Sequence, residues 1–171
     1  MSIIVGYDPT TLRERVDLQA VGTRLEEIGV QRSSSALNEK VDLLRLAGRL
    51  DEAWEAANEA LRQARFSSDR EELCHTRIRR ARVQLYQGKV DAAVIELTSC
   101  ITEAHASEWA AVEAMALIER GRAYFEQGEL TSALADFRAA VTLRVRIGAT
   151  ASEVDSAMTL LAIAESFAEP Q

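Results

Sequence analysis

The sequence predicts an all-α fold built as a solenoid of helical hairpins, and three observations carry that prediction. Glycine and proline number only eight and two in 171 residues, aromatics amount to 5%, and alanine, leucine and glutamate are abundant; this mixture favours helices throughout. Gly48, Gly88 and Gly128 recur at an interval of forty residues, the signature of a repeat architecture. The residues after each glycine recur as well: Leu50, Ala53, Trp54, Ala57, Ala60 and Leu61, then Val90, Ala93, Val94, Leu97, Cys100 and Ile101, then Leu130, Ala133, Leu134, Phe137, Ala140 and Val141. Their spacing is that of one apolar helix face, with small residues where a neighbouring helix must approach closely.

Taken in chain order, the first expected element is a helix over residues 9–28, capped by Asp8 with Pro9 in its first turn and carrying Leu18, Val21, Leu25 and Ile28 as a stripe. Helices are expected next near 34–47, 51–65, 69–87, 91–105, 108–127, 131–146 and 151–168. Each repeated glycine sits just past a helix, where it supplies a left-handed cap and a short turn to an antiparallel partner. Ser68 with Glu71, and Thr150 with Glu153, fit capping boxes that start the next helix. The chain reads as one domain over 1–171: a tail and helix at 1–33, repeats at 34–68, 69–107 and 108–148, and a capping helix and tail at 149–171. A single hairpin cannot bury its apolar face, so three stacked pairs with end helices are about the minimum for a stable solenoid.

These residues resemble the tetratricopeptide repeat. Gly121, Tyr124, Gly128, Leu130, Ala133, Phe137 and Ala140 stand at the spacing of its consensus, with Leu117 in the place of its first large residue. The second unit agrees at Ala81, Gly88, Ala93 and Leu97 but has Arg77 and Gln84 where large apolar residues are expected; the first keeps Leu37, Leu44, Gly48, Ala53 and Ala60. The unit is forty residues where the usual one is about 34 and ends near a proline, so it is similar to the long variant found in kinesin light chains and bacterial peptide-sensing regulators. The resemblance covers residues 34–146, with a partial unit at 151–168. It implies a right-handed solenoid whose first helices line a concave binding face.

Composition narrows the chemistry. A net charge of −7 should repel nucleic acid and anionic membranes, which are not expected partners. The basic residues are eighteen Arg against two Lys. Cys74 and Cys100 form no CxxC and read as free buried thiols in a reducing compartment. Ile3-Ile4-Val5 is too short for a signal-peptide core, and no run approaches the length of a membrane span, so a cytoplasmic protein is expected. His75 and His105 are the only histidines, and no HExxH, GxSxG or phosphate-cradling loop is present. The expectation is no enzyme, no metal site and no cofactor. His105 near a helix end is explained by the helix dipole.

The candidate site lies in a basic run inside this acidic chain, His75 to Arg82. Cys74, Ile78, Ala81 and Leu85 form its apolar stripe, and His75, Arg79, Arg82 and Tyr86 form a second stripe beside it. The repeat resemblance places that second stripe on the concave side, together with Asn38, Asp42 and Arg45 before it and Arg122 and Glu126 after it. Guanidinium groups with a tyrosine alongside suit a carboxylate-bearing peptide, so the expected partner is a protein or peptide of acidic character. The alternative is that these arginines pair with glutamates of neighbouring helices and only solubilise the groove. Some tetratricopeptide domains clamp the C-terminal carboxylate of chaperones with lysine, asparagine and arginine; here those places hold Asn38, Asp42, Arg79, Met115 and Glu119, a different set, and that activity is not expected.

The last helix is apolar on more than one face, with Met158, Leu160, Leu161 and Ile163 offering an end interface, whereas terminal repeats normally carry a polar outer face. The functional expectation is a non-enzymatic scaffold or adaptor using the concave groove. The alternatives are a subunit that self-associates through its terminal helices, a homo-oligomer among them, and a peptide or small-molecule sensor module.

Overall fold

A computed structural model describes residues 3–168. The described residues form two strands, β1 (Ile4–Tyr7) and β2 (Glu14–Val16), followed by α1 (Leu18–Ile28), α2 (Ser34–Leu46), α3 (Leu50–Phe66), α4 (Arg70–Tyr86), α5 (Val90–Ala106), α6 (Ala110–Glu126), α7 (Leu130–Arg146) and α8 (Ala151–Ser166). From α2 onward each helix packs on the next in sequence, and α4 also touches both α2 and α6. The fold is therefore all-α apart from the N-terminal hairpin, with an arrangement compatible with a helical repeat. Helices α2, α4 and α6 lie side by side on one face of the molecule, and the candidate site stands on that face.

The three repeated glycines end α2, α4 and α6 with φ of 73°, 76° and 78°, a conformation that costs a residue with a Cβ but not glycine. The next residue then turns its N–H back into the helix: Arg49 to the Leu44 carbonyl, Lys89 to Gln84 and Glu129 to Tyr124, each at 2.9 Å. These bonds satisfy carbonyls that the helix end would otherwise leave open. The core follows from the repeated small residues. Ala53, Ala57, Ala60, Ala93, Ala133 and Ala140 are all buried, and they let the helices approach closely enough for Ile78, Leu97 and Phe137 to fill the space between them.

Two expectations about element starts are corrected. The first helix begins at Leu18, not at residue 9, and its cap is Asp17, whose side chain accepts from the Gln19 and Ala20 N–H groups. Asp8 instead folds its carboxylate onto the Thr10 and Thr11 amides at 2.9 and 2.8 Å, a local bond that competes with helix formation and makes a turn. The chain on either side is rich in β-branched residues, and it pairs as an antiparallel hairpin with Ile4 opposite Val16 and Tyr7 opposite Glu14. The second correction is a shift of one residue: α4 is capped by Asp69, whose carboxylate accepts from the Glu72 N–H at 3.0 Å, and not by Ser68. Thr150 and Glu153 do form a reciprocal capping box.

Candidate functional site

The face shared by α2, α4 and α6 collects the residues singled out in the sequence into two groups. The first is open. Asn38 donates to Glu72 at 2.7 Å, and Arg79 Nε donates to Asp42 at 3.2 Å. These four side chains, with Ser34, line a cavity of about 760 Å³. His75 stands on the same helix face as Arg79; burial first, and the Arg79 charge second, hold its imidazole below its ordinary pKa.

The second group is closed over a residue of the chain's own N-terminal hairpin. The Glu14 carboxylate, 1% exposed, meets Arg45 Nη1 at 3.2 Å and Arg122 Nη2 at 3.4 Å, and also Arg82 Nη2 and the Tyr86 hydroxyl, which donates to it. One helix after another supplies a partner: Arg45 from α2, Arg82 and Tyr86 from α4, and Arg122 from α6. Hydrogen bonds to an ionised acceptor are the strong kind, and the surrounding protein screens them little.

The rest of the hairpin is held by the same side chains. Arg122 Nη1 donates to the Leu12 carbonyl at 2.7 Å, so one guanidinium holds both the main chain at Leu12 and the side chain at Glu14. The Arg122 guanidinium lies over the Tyr7 ring at 5.3 Å, and the Arg13 and Arg45 guanidinium groups lie over the Tyr86 ring at 4.8 and 4.6 Å. Arg13 also reaches Glu126 at 3.7 Å. Leu12 is fully buried in the cluster that contains Leu117, Ile118 and Phe137. It has φ of +57°, a left-handed conformation that costs a leucine about 1–2 kcal/mol and persists only where surrounding contacts enforce it.

Glu119 completes the cluster. Its carboxylate lies 3.1 Å from Arg82 Nε and 3.8 Å from Arg122 Nε. Burial works to raise its pKa, but Arg82, Arg122, Arg45 and Arg144 outweigh that and hold it below the usual carboxylate range. Glu14 and Glu119 thus face Arg45, Arg82 and Arg122, so cations outnumber anions in the buried set. A second cavity of about 270 Å³ adjoins it, lined by Tyr7, Glu14, Arg82, Glu119, Arg122 and Arg144 among others. Such a network is expensive to desolvate and tolerates the loss of one partner poorly.

Of the sequence-predicted residues, Arg45, Arg82, Tyr86 and Arg122 converge on one carboxylate, Asn38, Asp42 and Arg79 line the open cavity, and Glu126 sits at the edge with Arg13. Glu14 and Leu12 were not among the candidates, because a helix over 9–28 hides them. Leu12-Arg13-Glu14-Arg15-Val16 has its apolar residues four apart with three charges between them, a spacing as compatible with a helix as with a strand, so no local signal marked them. Arg77, out of place in the repeat pattern, pairs with Glu96 at 2.6 Å and Glu103 at 2.8 Å on α5; Cys74, Ile78, Ala81 and Leu85 are all buried as their stripe requires. At the far end Leu160 is buried in the chain's own core, Leu161 and Ile163 pack half-buried against it, and Met158 is exposed.

Among the described residues no group of three or more metal-ligating side chains comes together, and no helix is long and apolar enough to cross a membrane. No protein-family model matches the chain, and no curated protein matches it.

Proposed function

We propose that the protein is a non-enzymatic, cytoplasmic scaffold of the tetratricopeptide type: a right-handed solenoid of three forty-residue repeats whose groove along α2, α4 and α6 holds an extended, carboxylate-bearing segment of another protein. The observation that carries this reading is the seat of Glu14, where three guanidinium groups and a tyrosine hydroxyl from three successive first helices surround one carboxylate. Bidentate donors fixed on rigid helices are suited to reading a carboxylate on an extended chain. The surplus of cations in the buried set favours the same class of ligand, although the whole chain carries a charge of −7.

A library of random displayed peptides, selected on the immobilised full chain at low salt, tests the reading. The expected result is enrichment of sequences containing glutamate, whose binding is lost with Arg82→Gln and weakens as salt rises. A selection that returns no binder, or binders indifferent to Arg82→Gln in a chain with unchanged helical content, would contradict it.

A further inference from the structure

The hairpin is attached to the helical array in the manner of a bound ligand. Among the described residues its two strands form a two-stranded sheet with each other, and its polar grip on the helices runs through Arg45, Arg82, Tyr86 and Arg122, with Arg13 reaching Glu126 at the edge. Helix α1, which follows it, buries Val21 and Ile28 against Ala36 and Leu43 of α2, and Ile3 and Val16 of the hairpin pack half-buried at the edge of that cluster. Departure of the hairpin gives up the Ile3 and Val16 contacts but leaves the fully buried contacts of Val21 and Ile28 with α2 in place. Leu12 is held at a positive φ, and release of the segment relieves that strain, which lowers the cost of exchange.

We infer that the segment from Ile3 to Val16 is a ligand in cis, displaced when a partner binds, and that the partner's segment carries a large aliphatic residue two positions before a glutamate. This inference rests on the groove reading given above and deepens it. The internal segment shows the pattern: Leu12 fills the apolar site beside Leu117 and Ile118 while its carbonyl accepts a hydrogen bond from Arg122 Nη1, and Glu14 enters the ring of guanidinium groups. The residue between them, Arg13, points back to Glu126 and Tyr86 at the edge, so its position is the permissive one. A groove filled in cis binds its partner with an affinity reduced by the fraction of time that it is closed, so a change in the grip on Glu14 is a change in partner affinity.

The test uses a fluorescent synthetic peptide with the sequence of residues 3–18, titrated into the full chain and into its Glu14→Gln variant. Glu14→Gln should bind the peptide at least about tenfold more tightly than the unaltered chain, because the cis competitor has lost its charge while the ring of arginines is intact. The same peptide with glutamine in place of its glutamate should lose at least about as much affinity. In the unaltered chain, saturating peptide should speed hydrogen exchange at the Asp8, Leu12 and Asp17 amides, which are bonded to the Arg13, Asp8 and Ile3 carbonyls within the seated hairpin. This second measurement needs no variant and decides the matter if Glu14→Gln does not fold. Equal affinity of the two chains for the peptide would overturn the inference. So would selected library peptides that bind while those three amides stay protected, which would leave the groove reading standing; no binding of any peptide to either chain would overturn both.

Discussion

Gly121 has no side chain because the ring of Phe137 occupies the space: a Cβ built on it would lie 2.7 Å from the ring edge. The two residues stand on α6 and α7, and their contact sets how closely α7 lies against α6. Gly121→Ala should therefore destabilise the fold by about 1–3 kcal/mol, the usual cost of overpacking a fixed core, although alanine is the better helix former. Chemical denaturation of the two chains measures this, and an unchanged or raised midpoint would contradict it. Both residues stood out in the sequence by their spacing, but their contact is a finding of the structure. Glu14 was not, because a glutamate between two arginines in a polar stretch carries no sign of burial. Its environment comes from four residues that are 31 to 108 positions away along the chain, and local patterning does not record such distances.

At the scale of elements, the positions of α2 through α8 follow from the apolar period and the glycine punctuation, with ends that move by one or two residues. What failed at the N-terminus was the competition between two uses of an aspartate. Asp8 before Pro9 has the chemistry of a helix cap, but the same carboxylate serves a turn equally well, and the tertiary seat of Leu12 and Glu14 decides between them. The turn between α5 and α6 departs from the glycine rule, since Glu108 takes the left-handed position with φ of 59° while Trp109 bonds back to the Ala104 carbonyl at 2.9 Å. Glu108→Gly keeps that cap and removes the strain, so it should stabilise the protein by about 1 kcal/mol or less, the relief being offset in part by the greater entropy of the unfolded chain. A melting temperature lower than that of the unaltered chain would show that the turn draws on contacts of the Glu108 side chain.

The whole molecule is a row of helices whose shared face is closed at one end by its own N-terminal segment and left open at the other. The arginines and the tyrosine of that face stood out in the sequence, Arg82 and Tyr86 from the helical stripe of the basic run and Arg45 and Arg122 from the repeat resemblance. What they hold was not legible, because the occupant lies in a part of the chain outside the repeat. The buried cluster ties residues 12–14 to α2, α4 and α6, so substitution there affects stability and groove together. Arg82→Glu would set a third carboxylate beside Glu14 and Glu119, and it is not a neutral probe of binding. The seat of Glu14 is tested most directly by a double-mutant cycle in urea unfolding with Glu14→Gln, Arg122→Gln and the pair. The account predicts a coupling of about 1–3 kcal/mol, as expected for contacting members of one buried network; strictly additive effects of the two substitutions would contradict it.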